Sequence, residues 1–78
     1  MVDVLRALES ALNEVGSGLS AIDKTGDWSY YEAAQKNVDR LLLQLPKQVR
    51  SKLPNKNPGM SDWSSFLREV TALRRSMS

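Results

Sequence analysis

The sequence predicts an all-α protein, a small antiparallel bundle of three main helices within a single domain spanning residues 1–78. In three separate stretches, apolar side chains recur three and four residues apart, which is the spacing of amphipathic helices that pack side by side. Turn-forming glycine, proline and asparagine residues separate these stretches. A chain of 78 residues buries only a thin core, so dimerisation is expected to help complete the bundle.

The first helix is predicted over residues 4–23. Its apolar seam alternates steps of three and four residues, close to the heptad period, and consists of Leu5, Leu8, Leu12, Val15, Leu19 and Ile22. Asp3 precedes the seam and is predicted to cap the helix, because its carboxylate can accept hydrogen bonds from the free amides of the first turn.

Gly16 and Gly18 allow two interpretations of this helix. They either end it, leaving Leu19 and Ile22 on a short extra turn, or they lie within a continuous helix whose bare backbone lets a neighbour approach closely. The unbroken periodicity through Ile22 favours a continuous or kinked helix.

The second helix is predicted over residues 28–45, after a turn in which Gly26 is free to adopt a positive φ. Asp27 or Ser29 is expected to cap it, and Ser29 with Glu32 fits a capping box. Its inner face is predicted to carry Trp28, Tyr31, Ala34, Val38, Leu41, Leu42 and Leu45. The aromatic residues at the helix starts, including Trp63 and Phe66 in the last helix, are expected to fill the ends of the core.

Pro46 interrupts the second helix, since proline lacks the amide that would continue the hydrogen-bond ladder. A short helical turn is predicted at 47–53, where Leu45, Val49 and Leu53 fall four apart. After a loop at 54–59, the third main helix is predicted over residues 61–76. Its seam consists of Trp63, Phe66, Val70, Leu73 and Met77.

Composition argues against an enzyme. The chain has no cysteine and no histidine, which removes disulfides, thiolate nucleophiles, the commonest general base and the commonest transition-metal ligand. We therefore expect no catalytic residues, no metal, no cofactor and no small-molecule substrate. No apolar run is long enough to span a membrane and the N-terminus lacks the features of a signal peptide, so a soluble, cytoplasmic protein is expected.

The charges are distributed unevenly along the chain. Residues 1–35 carry two basic and six acidic side chains, a net charge of −4, whereas residues 36–78 carry nine basic and three acidic side chains, a net charge of +6. Either the basic half binds an external polyanion, or the two halves attract each other within the fold or across a dimer.

A basic face is predicted on the second helix, opposite its core. If the helix is treated as continuing past Pro46, the side chains of Lys36, Arg40, Lys47 and Arg50 fall within a sector of roughly 80° and span about 21 Å. Lys52 and Lys56 would extend this face into the following loop. The alternative interpretation is that the face is an ordinary charged, solvated helix surface.

Leu43 falls in the middle of this basic face, where a monomer would leave it in water. Its position favours a helix–helix interface and makes it a candidate interface residue. Tyr30 points away from the predicted core and is a second candidate.

Two functional hypotheses follow. The first is a protein-interaction module that binds a protein partner or a second copy of itself, as an adaptor or self-association domain. The alternative is sequence-independent binding of a double-stranded RNA or DNA backbone through the basic face. In size, helicity and the charge of its outer helix, the chain resembles the small double-stranded-RNA-binding suppressors of insect nodaviruses. No sequence motif accompanies this resemblance, so it assigns a role to no residue.

Overall fold

The computed structural model describes residues 2–54, 59 and 61–77. It contains four helices: α1 (Val2–Thr25), α2 (Ser29–Leu43), α3 (Lys47–Arg50) and α4 (Trp63–Met77). All regular secondary structure in these ranges is helical, and the molecule measures 39 × 21 × 19 Å along its principal axes. The predicted all-α fold, with three main helices and a short helical turn, is confirmed.

Helix α1 forms the centre of the bundle because it packs along both α2 and α4. Its predicted seam supplies the four leucine and valine side chains Leu5, Leu8, Leu12 and Val15, all with 0% exposure. The remainder of the buried core comes from Ala11, Ala34, Val38, Leu41, Leu42, Leu45, Leu53, Phe66 and Val70. The core is therefore built around the seam of α1.

Both long partners of α1 run antiparallel to it. A three-residue turn reverses the chain between α1 and α2. Trp63, at the start of α4, lies against Gly16 of α1. Arg74, near the end of α4, contacts Glu9, which precedes Gly16 in α1 by about two turns. Helices α2 and α4 are consequently parallel to each other.

The two glycines of α1 lie within a continuous helix, as the second interpretation predicts. A Cβ atom at Gly16 would lie 2.5 Å from Cη2 of Trp63, and one at Gly18 would lie 2.7 Å from Cα of Tyr31. Both distances are too short for a side chain. The missing Cβ atoms therefore allow α4 to approach α1 at Gly16 and α2 to approach it at Gly18.

The turn between α1 and α2 depends on Gly26 and Asp27. Gly26 has the predicted positive φ, 72°, and its amide donates to the carbonyl of Ile22 at 2.8 Å. The Oδ1 atom of Asp27 accepts hydrogen bonds from the Ser29 hydroxyl at 2.7 Å and the Ser29 amide at 2.9 Å. These two hydrogen bonds hold the pKa of Asp27 below its ordinary value, and the bond from the Ser29 hydroxyl has the larger effect.

Two predicted caps are wrong. Ser29 does not form a capping box with Glu32, because its hydroxyl donates to Asp27 and the amide of Glu32 donates to the Trp28 carbonyl at 3.0 Å. Asp3 lies inside the first turn of α1, which already begins at Val2. A negative charge there still interacts favourably with the positive end of the helix dipole.

Pro46 divides the second predicted helix more sharply than expected. Helix α2 ends at Leu43, two residues before the predicted boundary, because the residue that precedes a proline is disfavoured in the α conformation. Pro46 itself is extended, with ψ of 152°, and α3 begins immediately after it. Hydrogen-bonded turns then continue to Leu53, whose amide donates to the Arg50 carbonyl at 3.1 Å, so the predicted helical turn at 47–53 is confirmed.

Of the four aromatic residues expected in the core, Phe66 is buried and both Tyr31 and Trp63 pack against the core while partly exposed. The prediction is wrong for Trp28, which is 47% exposed. Trp28 precedes the first residue of α2, and its ring meets Tyr31 edge to face at a centroid distance of 6.1 Å. It covers the outer side of that ring rather than entering the core.

An ion pair joins the acidic and basic halves of the chain. The partly buried carboxylate of Glu9 on α1 accepts hydrogen bonds from Nε of Arg74 and, at 3.2 Å, from the hydroxyl of Thr71 on α4. This contact is one attraction between the acidic and basic halves within the fold.

Replacement of Gly18 tests the close approach of α2. In an unobstructed helix, Gly18→Ala would stabilise the protein by about 1 kcal/mol. Because the new methyl group would overlap the backbone of Tyr31, we expect a net destabilisation of about 1–3 kcal/mol instead. Urea unfolding followed by circular dichroism measures the change. Ser17→Ala, at the neighbouring exposed position, is the control, and its free energy of unfolding should stay within about 0.5 kcal/mol of that of the native chain. A Gly18→Ala variant more stable than the native chain would contradict the close approach of α2.

The hydrogen bonds that Asp27 accepts from Ser29 should make stability depend on pH. Since the folded-state pKa of Asp27 lies below its unfolded value, the carboxylate stabilises the fold above the unfolded pKa, and this contribution is lost as the pH falls through the folded pKa. We expect Asp27→Asn to melt at a lower temperature than the native chain at neutral pH, with the difference disappearing in acid. Thermal melts across this pH range, with Asp23→Asn as the control for loss of a nearby charge, measure the effect.

Candidate protein-interaction surface

Leu43 is the most exposed large apolar side chain among the described residues, at 88% exposure. It is the last residue of α2 and lies on the face turned away from α1, because Leu41 and Leu42 take the buried positions of the same turn. The prediction that Leu43 faces solvent is confirmed.

A shallow recess lies beside Leu43, with a volume of about 450 Å³. We call it the Leu43 recess. Its lining combines α2, the bend and α3 and consists of Asp39, Leu42, Leu43, Leu45, Lys47 and Arg50. The recess exists because the chain bends at Pro46. Leu45 and Leu53 lie on either side of α3, and their burial in the core holds α3 against the bundle.

The rim of the Leu43 recess carries both signs of charge. Asp39 approaches from α2, whereas Lys47 and Arg50 approach from α3. The guanidinium of Arg50 donates a hydrogen bond to the carbonyl of Pro54, which orients this side chain at the edge of the recess. The lining therefore combines three leucines with three charged side chains, and apolar and polar groups occur together in the same way in protein–protein interfaces.

The structure brings together only part of the predicted basic face. Lys36 and Arg40 are exposed on the outer side of α2, and Arg40 donates a hydrogen bond to Asn37. Lys47 and Arg50 belong to α3 and line the recess instead of continuing a straight row. The projection that treats the helix as continuing past Pro46 therefore does not hold, because the bend redirects the last two of these four side chains.

The remaining predicted residues of this face lie in the segment after α3. Lys52 is exposed within the hydrogen-bonded turns that follow α3. Lys56 lies outside the described residues.

Tyr30 is 44% exposed, and its hydroxyl donates a hydrogen bond to the carboxylate of Glu14 on α1. Part of its polar surface is therefore used within the chain. Its ring also borders a second, more open depression with Glu14, Ala33, Ala34 and Asn37. Its role as an interface residue stays a prediction.

Sequence reasoning missed Asp39 and Leu45 as parts of this surface. Periodicity assigned Leu45 to the core, where it is buried, yet it also lines the recess. Asp39 lies to one side of the predicted basic sector on the helix projection. Pro46 was the sequence signal for this surface. A bend at a proline can bring the side chains that precede it and the side chains that follow it to one surface.

Residues 2–54, 59 and 61–77 contain no group of three or more acidic, histidine or cysteine side chains arranged to hold a metal ion. In the same ranges, no helix has the length and apolar character needed to cross a bilayer.

Comparisons with protein-family models, with curated proteins and with solved structures find no match to this chain. The resemblance to nodavirus suppressors consequently stays an expectation from size, helicity and charge.

Proposed function

We propose that this chain is a non-enzymatic protein-interaction module that docks protein through the Leu43 recess, with a second copy of the chain as its simplest partner. The observation that carries the proposal is the 88% exposure of Leu43 beside a recess that Leu42 and Leu45 also line. Its cytoplasmic location remains a prediction from the sequence.

The physical argument is the cost of leaving this surface in water. Full burial of one leucine side chain such as Leu43 is worth about 1.5–3 kcal/mol. A partner that covers Leu43 would gain this free energy, whereas the monomer cannot, because the bend at Pro46 leaves no part of α3 over the side chain.

Leu43→Glu tests this proposal. If the native chain associates through the recess, its apparent mass should rise with concentration above the 8.7 kDa of one chain, and Leu43→Glu should abolish the rise. Sedimentation equilibrium or light scattering measures the mass. A charged residue at this position would remove the apolar contact and leave a carboxylate without water, a combined cost of several kcal/mol.

Gln44→Glu is the matched control, since it adds the same negative charge at the adjacent exposed position without removing a leucine. It should keep most of the association. Equal masses for the native chain and Leu43→Glu at every concentration would contradict the proposal, and circular dichroism of both variants establishes that they are folded.

A second candidate function is sequence-independent binding of duplex nucleic acid. The observation that favours it is the exposure of Lys36, Arg40 and Lys47, three cations on or beside the outer face of α2. Such side chains neutralise phosphates and release condensed counterions without reading bases. The bend at Pro46 limits the length of backbone that one copy could follow.

This second function predicts a steep dependence of affinity on salt. If four cations contact phosphates, the affinity for a fluorescent duplex RNA or DNA should fall about 100-fold between about 50 and 200 mM salt. Replacement of Lys36, Arg40, Lys47 and Arg50 by alanine should remove most of the binding. The control variant loses the same charge elsewhere, at Arg6, Lys24, Arg68 and Arg75. Absence of binding to either duplex at low salt, or equal losses in both variants, would exclude this function.

A further inference from the structure

We infer that α4 is a cover that opens as a unit from the helical hairpin of α1 and α2, at a lower free energy than complete unfolding. In the open form, α4 would leave the side of α1 that it covers, while α1 and α2 stay paired. None of the residues that line the Leu43 recess belongs to α1 or α4, so this opening is independent of the proposed function.

Helix α4 is attached to the bundle through α1. Among residues 2–54, 59 and 61–77, α1 is the one helix that α4 contacts extensively. Two side chains of α4 are buried, Phe66 and Val70, whereas α2 has four buried side chains. Burial of apolar area is the main favourable term in packing two helices, so α4 is held less strongly than α2.

Two contacts hold the ends of α4 on α1. At the start of α4, the indole of Trp63 lies over Gly16 and stays partly exposed. Towards its end, the partly buried carboxylate of Glu9 accepts hydrogen bonds from Arg74 and Thr71. Both contacts join α4 to α1, so they break together when α4 leaves, and neither of them holds α2 in place.

The order of the helices along the chain makes α1 and α2 the more persistent pair. A three-residue turn joins them, and Gly26 and the hydrogen bonds from Ser29 to Asp27 stabilise this turn. The pairing of α4 with α1 instead closes a long loop, since Glu9 and Arg74 lie 65 residues apart. Closing a longer loop costs more conformational entropy, which favours loss of the α4 contacts first.

The opening of α4 would uncover one side of α1. Glu9 and Gly16 lie about two turns apart on the side that faces α4, and the helical spacing places Leu5 and Leu12 on the same side. Both leucines are 0% exposed while α4 is docked. A helix of 15 residues is only marginally stable in water, so α4 should also lose its helical hydrogen bonds once it leaves α1. That loss makes the opening measurable by amide hydrogen exchange.

Native-state hydrogen exchange of the full chain, followed by NMR or mass spectrometry, tests this opening. After correction for intrinsic rates, amides in the middle of α4 should exchange about 100-fold faster than amides in the middle of α1 and α2. Equal protection of the three helices would overturn the inference, because it would mean that they open together.

Val70→Ala and Val38→Ala are a matched pair, because both valines are 0% exposed and they lie on α4 and α2 respectively. Each should speed the exchange of α1 and α2 amides about 10- to 100-fold, because each weakens the fully closed fold. Val70→Ala should speed the exchange of α4 by the same factor, since its cavity exists only while α4 is docked. Val38→Ala should leave the exchange of α4 within about twofold of the native rate, because the packing that it weakens is present before and after α4 opens.

The response of α4 to the two substitutions decides between separate and joint opening. Acceleration of α4 exchange by Val70→Ala alone supports separate opening. Equal acceleration by both substitutions would overturn it, because α4 would then exchange only when the whole fold unfolds. Circular dichroism establishes that both variants are folded. The comparison of helices within the native chain needs no substitution, so it decides the question even if a variant fails to fold.

Discussion

The whole structure depends on one helix that is covered on two sides. Helix α1 gives its leucine and valine seam to both α2 and α4, and it can do so because two positions near its middle have no side chain. Gly16 admits the indole of Trp63 and Gly18 admits the backbone of Tyr31. Each glycine costs about 1 kcal/mol of helix propensity, a loss that the burial of the neighbouring side chains offsets. Close approach of the helices is therefore a more important constraint on this sequence than the intrinsic stability of α1.

The exposed surface of the bundle follows from this arrangement. Because α1 occupies the inner faces of its two partners, α2 presents its opposite face to solvent and carries Leu43 there. The bend at Pro46 then turns the chain, and the burial of Leu45 and Leu53 holds α3 in place. A recess lined by leucines and by charges of both signs results. The same residues that complete the core thus determine where the apolar and charged groups of the surface meet.

The helices and their buried faces could be predicted from the sequence because a spacing of three and four residues defines one side of a helix. The continuity of α1 and the positive φ of Gly26 follow from equally local reasoning. Periodicity does not reveal which neighbour covers a face or how far the chain turns at a break. The exposure of Trp28 and the division of the basic face at Pro46 depend on those tertiary relations. The recess was missed for the same reason, since residues from two helices form it across a bend.

The direction of α4 has a consequence for how this bundle can be joined to other chains. Arg74 bonds to Glu9, so the last turn of α4 lies beside the first turns of α1, at the pole of the bundle where α2 also finishes. The first turns of α1, the last turn of α4 and Leu43 at the end of α2 therefore share one end of the bundle. A bulky group joined to the first turn of α1 or to the last turn of α4 would consequently stand at the end of the bundle that carries Leu43.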